Sequence, residues 1–369
     1  MPATAPRPDH VAFALRVHEL LTASGAGDGP GFVWSPYSVA CALGLVAAGA
    51  HGRTRSELTA LLGADLDGLL AALDEAVAGG PELASRTALW VRDDVPVEPG
   101  FESRVRARPD SDLRAADFRG DPEGVRAEIN SDVAKTTRGM ISDLLTPGSV
   151  TADVLSILVN ALWVKMRWTE PFNPGRTRDL PFHAPSGTRR AALMHRVERL
   201  AHARTGDWRM VSLPGRDGLV LDVLLPPEAG SRSTLDAGTL TALYRDARDT
   251  SVALALPRFD VTHHQELTDV LDSAGVRTVF TDAADLSAIS PVPLKVDSVV
   301  HQARLRVDEK GAEGAAATAV MMMRAAGAMP PPPVPFVVDR PFLVLLRRRD
   351  AILFLGTVND PKDPGPAGD

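Results

Sequence analysis

The sequence predicts an α+β protein, and three observations carry that prediction. Segments with apolar residues at helical spacing gather before about residue 80, at 11–23, 37–50, 54–62 and 66–77. Apolar runs of strand length dominate from 154 onward, at 154–164, 220–225, 252–259, 296–303, 342–346 and 351–355. The third is the stretch from Asp308 to Pro341, for which the rest reads as a frame. Between Gly311 and Met323 its only charge is Glu313. Extended, it puts Ala312, Gly314, Ala316, Thr318, Val320 and Met322 on one face, with Glu313, Ala315, Ala317, Ala319, Met321 and Met323 opposite. The first face carries no charge, so the segment fits a packed sheet without burying one. Ala and Gly are poor strand formers alone. The four prolines Pro330 to Pro333 remove backbone donors and favour polyproline geometry. The segment reads as a removable strand followed by a stop.

The remaining elements come in order. Ser35 reads as a helix N-cap and Pro36 as the first turn, and the helix after them is apolar on nearly all sides, hence buried. Residues 86–95 read as a strand, and 122–145 as a helix ending near Gly139. The apolar run 154–164 suits a strand covered on both faces. A helix is expected near 237–247 and another at 267–271.

Composition narrows the function. The 369 residues are 44% hydrophobic, enough for a large core. A net charge of −7 without a long basic run argues against a nucleic-acid partner. The single cysteine, Cys41, permits no intramolecular disulfide, and its apolar neighbours predict a buried, inert thiol. No stretch approaches the ~18 apolar residues of a membrane helix, and Met1 to His10 lack a signal-peptide layout. The expected location is cytoplasmic if the N-terminus is complete and extracellular if a leader was removed.

Asp308-Glu309-Lys310-Gly311-Ala312-Glu313-Gly314-Ala315-Ala316-Ala317-Thr318-Ala319 closely resembles the hinge of a serpin reactive-centre loop. Phe336, Asp339-Arg340-Pro341-Phe342 and Leu353-Phe354-Leu355-Gly356-Thr357-Val358 resemble the C-terminal serpin strands. Ser35-Pro36-Tyr37-Ser38-Val39 and Asn160-Ala161-Leu162-Trp163-Val164-Lys165-Met166-Arg167-Trp168 match two further family elements, in family order. The resemblance implies one serpin domain over 1–369, with three β-sheets, eight or nine helices, an exposed reactive-centre loop at about 309–335 and a disordered tail from about 361. It places Ser35, Ser38, Asn160 and His301 in the shutter beneath the opening sheet, and Trp168 at the breach where the loop first inserts. The hinge is Glu309 with Gly311 to Thr318.

The nine histidines show no metal-ligand spacing, and His263-His264 would face opposite ways on a strand. There is no Gly-x-Ser-x-Gly elbow, phosphate loop or Rossmann pattern. Histidines on the surface and a charged hairpin turn at Arg347-Arg348-Arg349-Asp350 are the plain expectations. The chain is expected to be no enzyme and to need no cofactor or metal.

The resemblance instead implies a monomeric inhibitor consumed by an elastase-like, trypsin-like or subtilisin-like serine protease. Counting from the hinge glycine gives a reactive bond at Ala325-Ala326. Arg324-Ala325 is the alternative, and Met321 to Met323 offer further sites. A serpin acting as a carrier or chaperone is the competing function.

Overall fold

A computed structural model describes residues 5–79, 83–108, 111–164, 166–227, 234–311 and 331–365. Eight α-helices and fourteen strands occur among them. Four helices come early: α1 (Pro8–Ala23), α2 (Pro36–Ala48), α3 (Gly52–Leu62) and α4 (Leu66–Val77), with strand β1 (Gly31–Trp34) between the first two. Ser35 caps α2 as expected, its side chain accepting from Ser38 N at 3.0 Å, and the helix is buried around nearly its whole circumference. A polar face here would leave unpaired groups in the core.

Next in the chain are strand β2 (Leu83–Arg92), α5 (Pro99–Arg106), β3 (Ser111–Ala116), α6 (Pro122–Thr136) and β4 (Ser156–Val164). Then come β5 (Arg178–Ala184), β6 (Gly187–Thr205), β7 (Trp208–Pro214), β8 (Leu219–Leu225), α7 (Ala237–Asp246), β9 (Arg248–Pro257) and β10 (Phe259–Glu266). Helix α8 (Thr268–Ser273) and strands β11 (Ser298–Val307), β12 (Val334–Val337), β13 (Phe342–Arg348) and β14 (Ala351–Val358) complete the chain.

One sheet has five strands in the order β10-β11-β4-β2-β3. The other nine form one hydrogen-bonded path, β1-β14-β13-β8-β7-β6-β9-β12, with β5 on β6. That path is two sheets sharing the 19-residue β6. Its residues 187–202 pair with β5 and β9, and its end, 201–205, pairs with β7. Three sheets result, as expected.

The five-stranded sheet separates two apolar clusters. The larger lies between it, α1, α2 and the other sheets; the smaller joins Val125, Ile129 and Val133 of α6 to Trp90, Ile157 and Val159. Strand β4 is therefore covered on both faces, as its unbroken apolar run predicted.

Several expectations need correction. Helix α6 stops at Thr136, because Arg138 and Gly139 take left-handed backbone angles. Residues 259–266, which no sequence pattern singled out, form β10 beside β11. Arg347 and Arg348 are not turn residues: both are buried in β13. Arg347 pairs with buried Asp222 at 2.6 Å, and Tyr244 donates to the same carboxylate at 2.7 Å. Arg348 binds the carbonyls of Ala76, Ala78 and Asp217. His10 and His18 are buried rather than superficial. Both ends of the loop are shorter than 309–335, since Glu309 is 1% exposed and Val334 begins β12. The tail from 361 is also held as far as Asp363, by contacts to Asp260 and Arg258.

Candidate functional site

The five-stranded sheet is incomplete at one place. Strands β4 and β11 run parallel but pair only through Ser298↔Ile157, Val299↔Leu158 and Val300↔Val159. Above that stub, Asn160–Val164 and His301–Val307 have no register with each other. Backbone donors and acceptors along these edges suit an added strand.

The residues that the resemblance assigns to the shutter lie on strands and a helix start near the foot of this opening. His301 Nε2 accepts from Ser35 N at 3.0 Å, and Ser35 also caps α2 over Ser38. Asn160 donates to Thr87 Oγ1 at 2.6 Å, while its own Oδ1 is buried without a partner. Burial, with His263 and His264 nearby, pushes His301 down to about 3. Burial likewise lowers His10 to about 4 and His18 to about 3. All three are neutral when folded and take up a proton more readily once unfolded. Their contribution is therefore present above about pH 6.5 and is lost as the pH falls from there towards 3. The thermal midpoint should fall steadily between pH 6.5 and 4. A flat profile over that range would contradict the buried, neutral assignment.

The breach lies at the other end of the opening. Buried Trp168 donates through Nε1 to Asp308 O at 2.9 Å, and Phe172 N donates to Glu309 O at 2.9 Å. Glu309 Oε1 accepts from Arg258 Nε at 2.9 Å and from Thr177 Oγ1 at 2.6 Å. Arg196 lies 4.4 Å from the centre of the Phe172 ring and 5.8 Å from that of Trp168.

Between these anchors the chain turns back on itself. Asp308 N donates to Gly311 O at 2.9 Å and Gly311 N to Asp308 O at 3.3 Å, closing a two-residue hairpin turn. Gly311 also bridges Arg167 in antiparallel fashion. The sequence marked this glycine for its freedom, and the structure uses it: φ is +116°, and a Cβ would overlap Met166 O and come within 2.8 Å of Arg167 Cα. Burial raises the pKa of Asp308, partly opposed by Lys310 N.

The structure thus joins Ser35, Ser38 and His301 by hydrogen bonds at one end, with Asn160 bonded to Thr87 on the next strand, and gathers Trp168, Glu309 and Gly311 at the other. Ala312, Glu313, Gly314, Ala315, Ala316, Ala317, Thr318, Arg324, Ala325 and Ala326 lie outside the described residues. Thr177, Arg196 and Arg258 were missed, because their partners are distant in sequence. The Pro257-Arg258-Phe259 junction was the one available signal, a lone charge between two apolar runs. Burial pushes the Cys41 thiol up to about 11, so it is inert. Among the described residues no group of His, Cys, Asp or Glu is arranged to hold a metal, and no helix is long and apolar enough to cross a membrane.

The sequence model described as "Serpin (serine protease inhibitor)" matches residues 10–361. Serpin-Z1C of Triticum aestivum is 33% identical, over 95% of this chain and 94% of its own. Iris of Ixodes ricinus is 32% identical, over 94% and 97%. Uncleaved ovalbumin shares the fold with a TM-score of 0.85 at 22% identity, covering 97% of this chain and 100% of its own. Thyroxine-binding globulin in complex with thyroxine does so with a TM-score of 0.82 at 22% identity, covering 96% and 99%. With a half-open sheet, a closed turn above it and a family match over nearly its whole length, the chain belongs to the serpin family.

Proposed function

We propose that the protein is an irreversible, suicide-substrate inhibitor of serine proteases, acting by insertion of its cleaved loop between β4 and β11. The observation that carries this reading is register. Continuing the closed Asp308↔Gly311 turn along β11 sets Ala312 against Val307, Gly314 against Leu305 and Thr318 against His301. Continuing the Arg167↔Gly311 bridge along β4 sets the same residues against Met166, Val164 and Asn160. These two independent extensions imply His301 beside Asn160, which is the next step of the existing pairs ending at Val300↔Val159. A strand starting at Gly311 therefore keeps the register of both neighbours, and β4 and β11 would have to part at Ser298–Val300 for it to continue past Thr318.

The side chains agree with that placement. Ala312, Gly314, Ala316 and Thr318 would face the inner core with Val307, Leu305, Ala303 and His301, all buried. Thr318 would bring a hydroxyl to the level of the unpartnered Asn160 Oδ1. Glu313 would stand opposite Arg306, a favourable cross-strand pair. Ala317 and Ala319 would lie on the α6 face of the sheet, level with Ala161 and Val159.

In the proposed reaction the protease serine attacks the carbonyl of Ala325, forming an acyl-enzyme and releasing the amine of Ala326. The freed end from Gly311 then inserts. Roughly fourteen residues at about 3.3 Å each carry the acylated protease about 45 Å. The test is incubation with elastase, subtilisin and trypsin separately, then denaturing electrophoresis. A band near the summed masses that survives boiling is expected with at least one of them. Mass spectrometry of the released fragment should find its first residue within 322–327. Cleavage without any such band would favour the carrier reading, for which the thyroxine-bound neighbour is the structural parallel.

A further inference from the structure

From Asn359 to Asp363 the chain stays against the surface. Asn359 Nδ2 binds the carbonyls of Gly27 and Gly29, Asp360 pairs with Arg189, and Asp260 N donates to Lys362 O at 3.1 Å. Asp363 then meets Arg258 Nη1, its two carboxylate oxygens at 3.3 and 3.5 Å. The other side of the same guanidinium, Nε, binds Glu309 in the hinge turn. Arg258 is 10% exposed, Glu309 1% and Asp363 44%, so one cation links a buried hinge carboxylate to a half-exposed tail carboxylate. The family match ends at residue 361, so Lys362 and Asp363 are features of this chain outside it.

We propose that Lys362 and Asp363 form a clasp that holds Arg258 over Glu309 and so regulates opening of the breach. The charge arrangement supports this. Arg258 occupies the single-residue break between β9 and β10, where its N donates to Ala192 O at 3.0 Å. Glu309 Oε2 has no partner, so the hold on the hinge side chain passes through Oε1, which Arg258 shares with Thr177. Asp363 limits the positions open to Arg258, and the Lys362 carbonyl fixes the strand beside it. With the tail removed, the guanidinium gains access to water and its grip on Glu309 loosens. The consequence for inhibition rests on the insertion reading above; the clasp itself does not.

Two readouts separate these claims. The full chain is compared with Asp363→Asn and with a chain ending at Pro361, using Asp249→Asn as a control on the exposed pair with Arg199. Hydrogen exchange is monitored for residues 168–172, whose amides include the Phe172 donor to Glu309. Loss of an exposed charge pair should speed exchange there about 2- to 5-fold, with truncation at the upper end and the control unchanged. Spontaneous conversion to a heat-resistant form at elevated temperature should speed up by a similar factor. Unchanged exchange in both tail variants overturns the clasp, whatever the protease experiment shows. Faster exchange in a chain that never traps a protease keeps the clasp and removes the inhibitory reading alone.

Discussion

Replacing Ala312 with arginine should convert the protein from a trap into a plain substrate. The register places residue 312 between Val307 and Met166, which are 4% exposed each, on the core side of the sheet. A guanidinium there would have to enter an apolar layer unpaired, at a cost of several kcal/mol. In the proposed reaction insertion follows cleavage, so the variant's folding and loop cleavage should be normal. On the proposed mechanism the cleaved wild-type chain would gain about a dozen backbone hydrogen bonds, each worth roughly 0.5–1.5 kcal/mol, or on the order of 10 kcal/mol in sum. That corresponds to a rise of very roughly 10–15 °C in thermal midpoint. Cleaved Ala312→Arg should show little of that rise and no boiling-resistant band with protease. Unchanged trapping by the variant would sink insertion as the mechanism.

The second large effect concerns stability and is independent of the loop. Removing the carboxylate by Asp222→Ala should destabilise the fold by about 3–5 kcal/mol, since Arg347 would remain buried as an unpaired charge. Tyr244 would lose its acceptor in the same step. The midpoint should drop by roughly 4–7 °C. Replacing both partners, Asp222→Leu with Arg347→Met, should recover much of the loss, because the desolvation of both charges disappears together. If the single variant melts like the wild type, the pair is solvated and the burial assigned to it is wrong.

That pair also shows where sequence reading stops. A run of arginines beside an aspartate reads as a solvated turn as long as only neighbours are considered. Its burial depends on Asp222, 125 residues away, and on Tyr244 from α7. Arg258 was overlooked for the same reason, its carboxylates lying 51 and 105 positions further on. Two buried histidines belong to this class too: His18 contacts Thr357, 339 positions away. Features carried by local pattern were readable. Ser35-Pro36 caps α2, the apolar run of β4 is covered on both faces, and Gly311 takes a conformation that disfavours a side chain. Element order, read through the family resemblance, gave the architecture. Register was beyond reach, because it depends on which strands are already paired and where the pairing ends.

The closed turn at Asp308–Gly311 has a kinetic meaning. Starting a hairpin is its costly step, since backbone must be ordered before the first bonds offset the loss. Here that step belongs to the resting molecule. On the proposed mechanism only propagation from an existing nucleus would remain after cleavage, and whole hairpins form in about 1–10 μs. A trap of this kind competes against a water molecule for one ester bond. The fold enters that race with its first turn already wound.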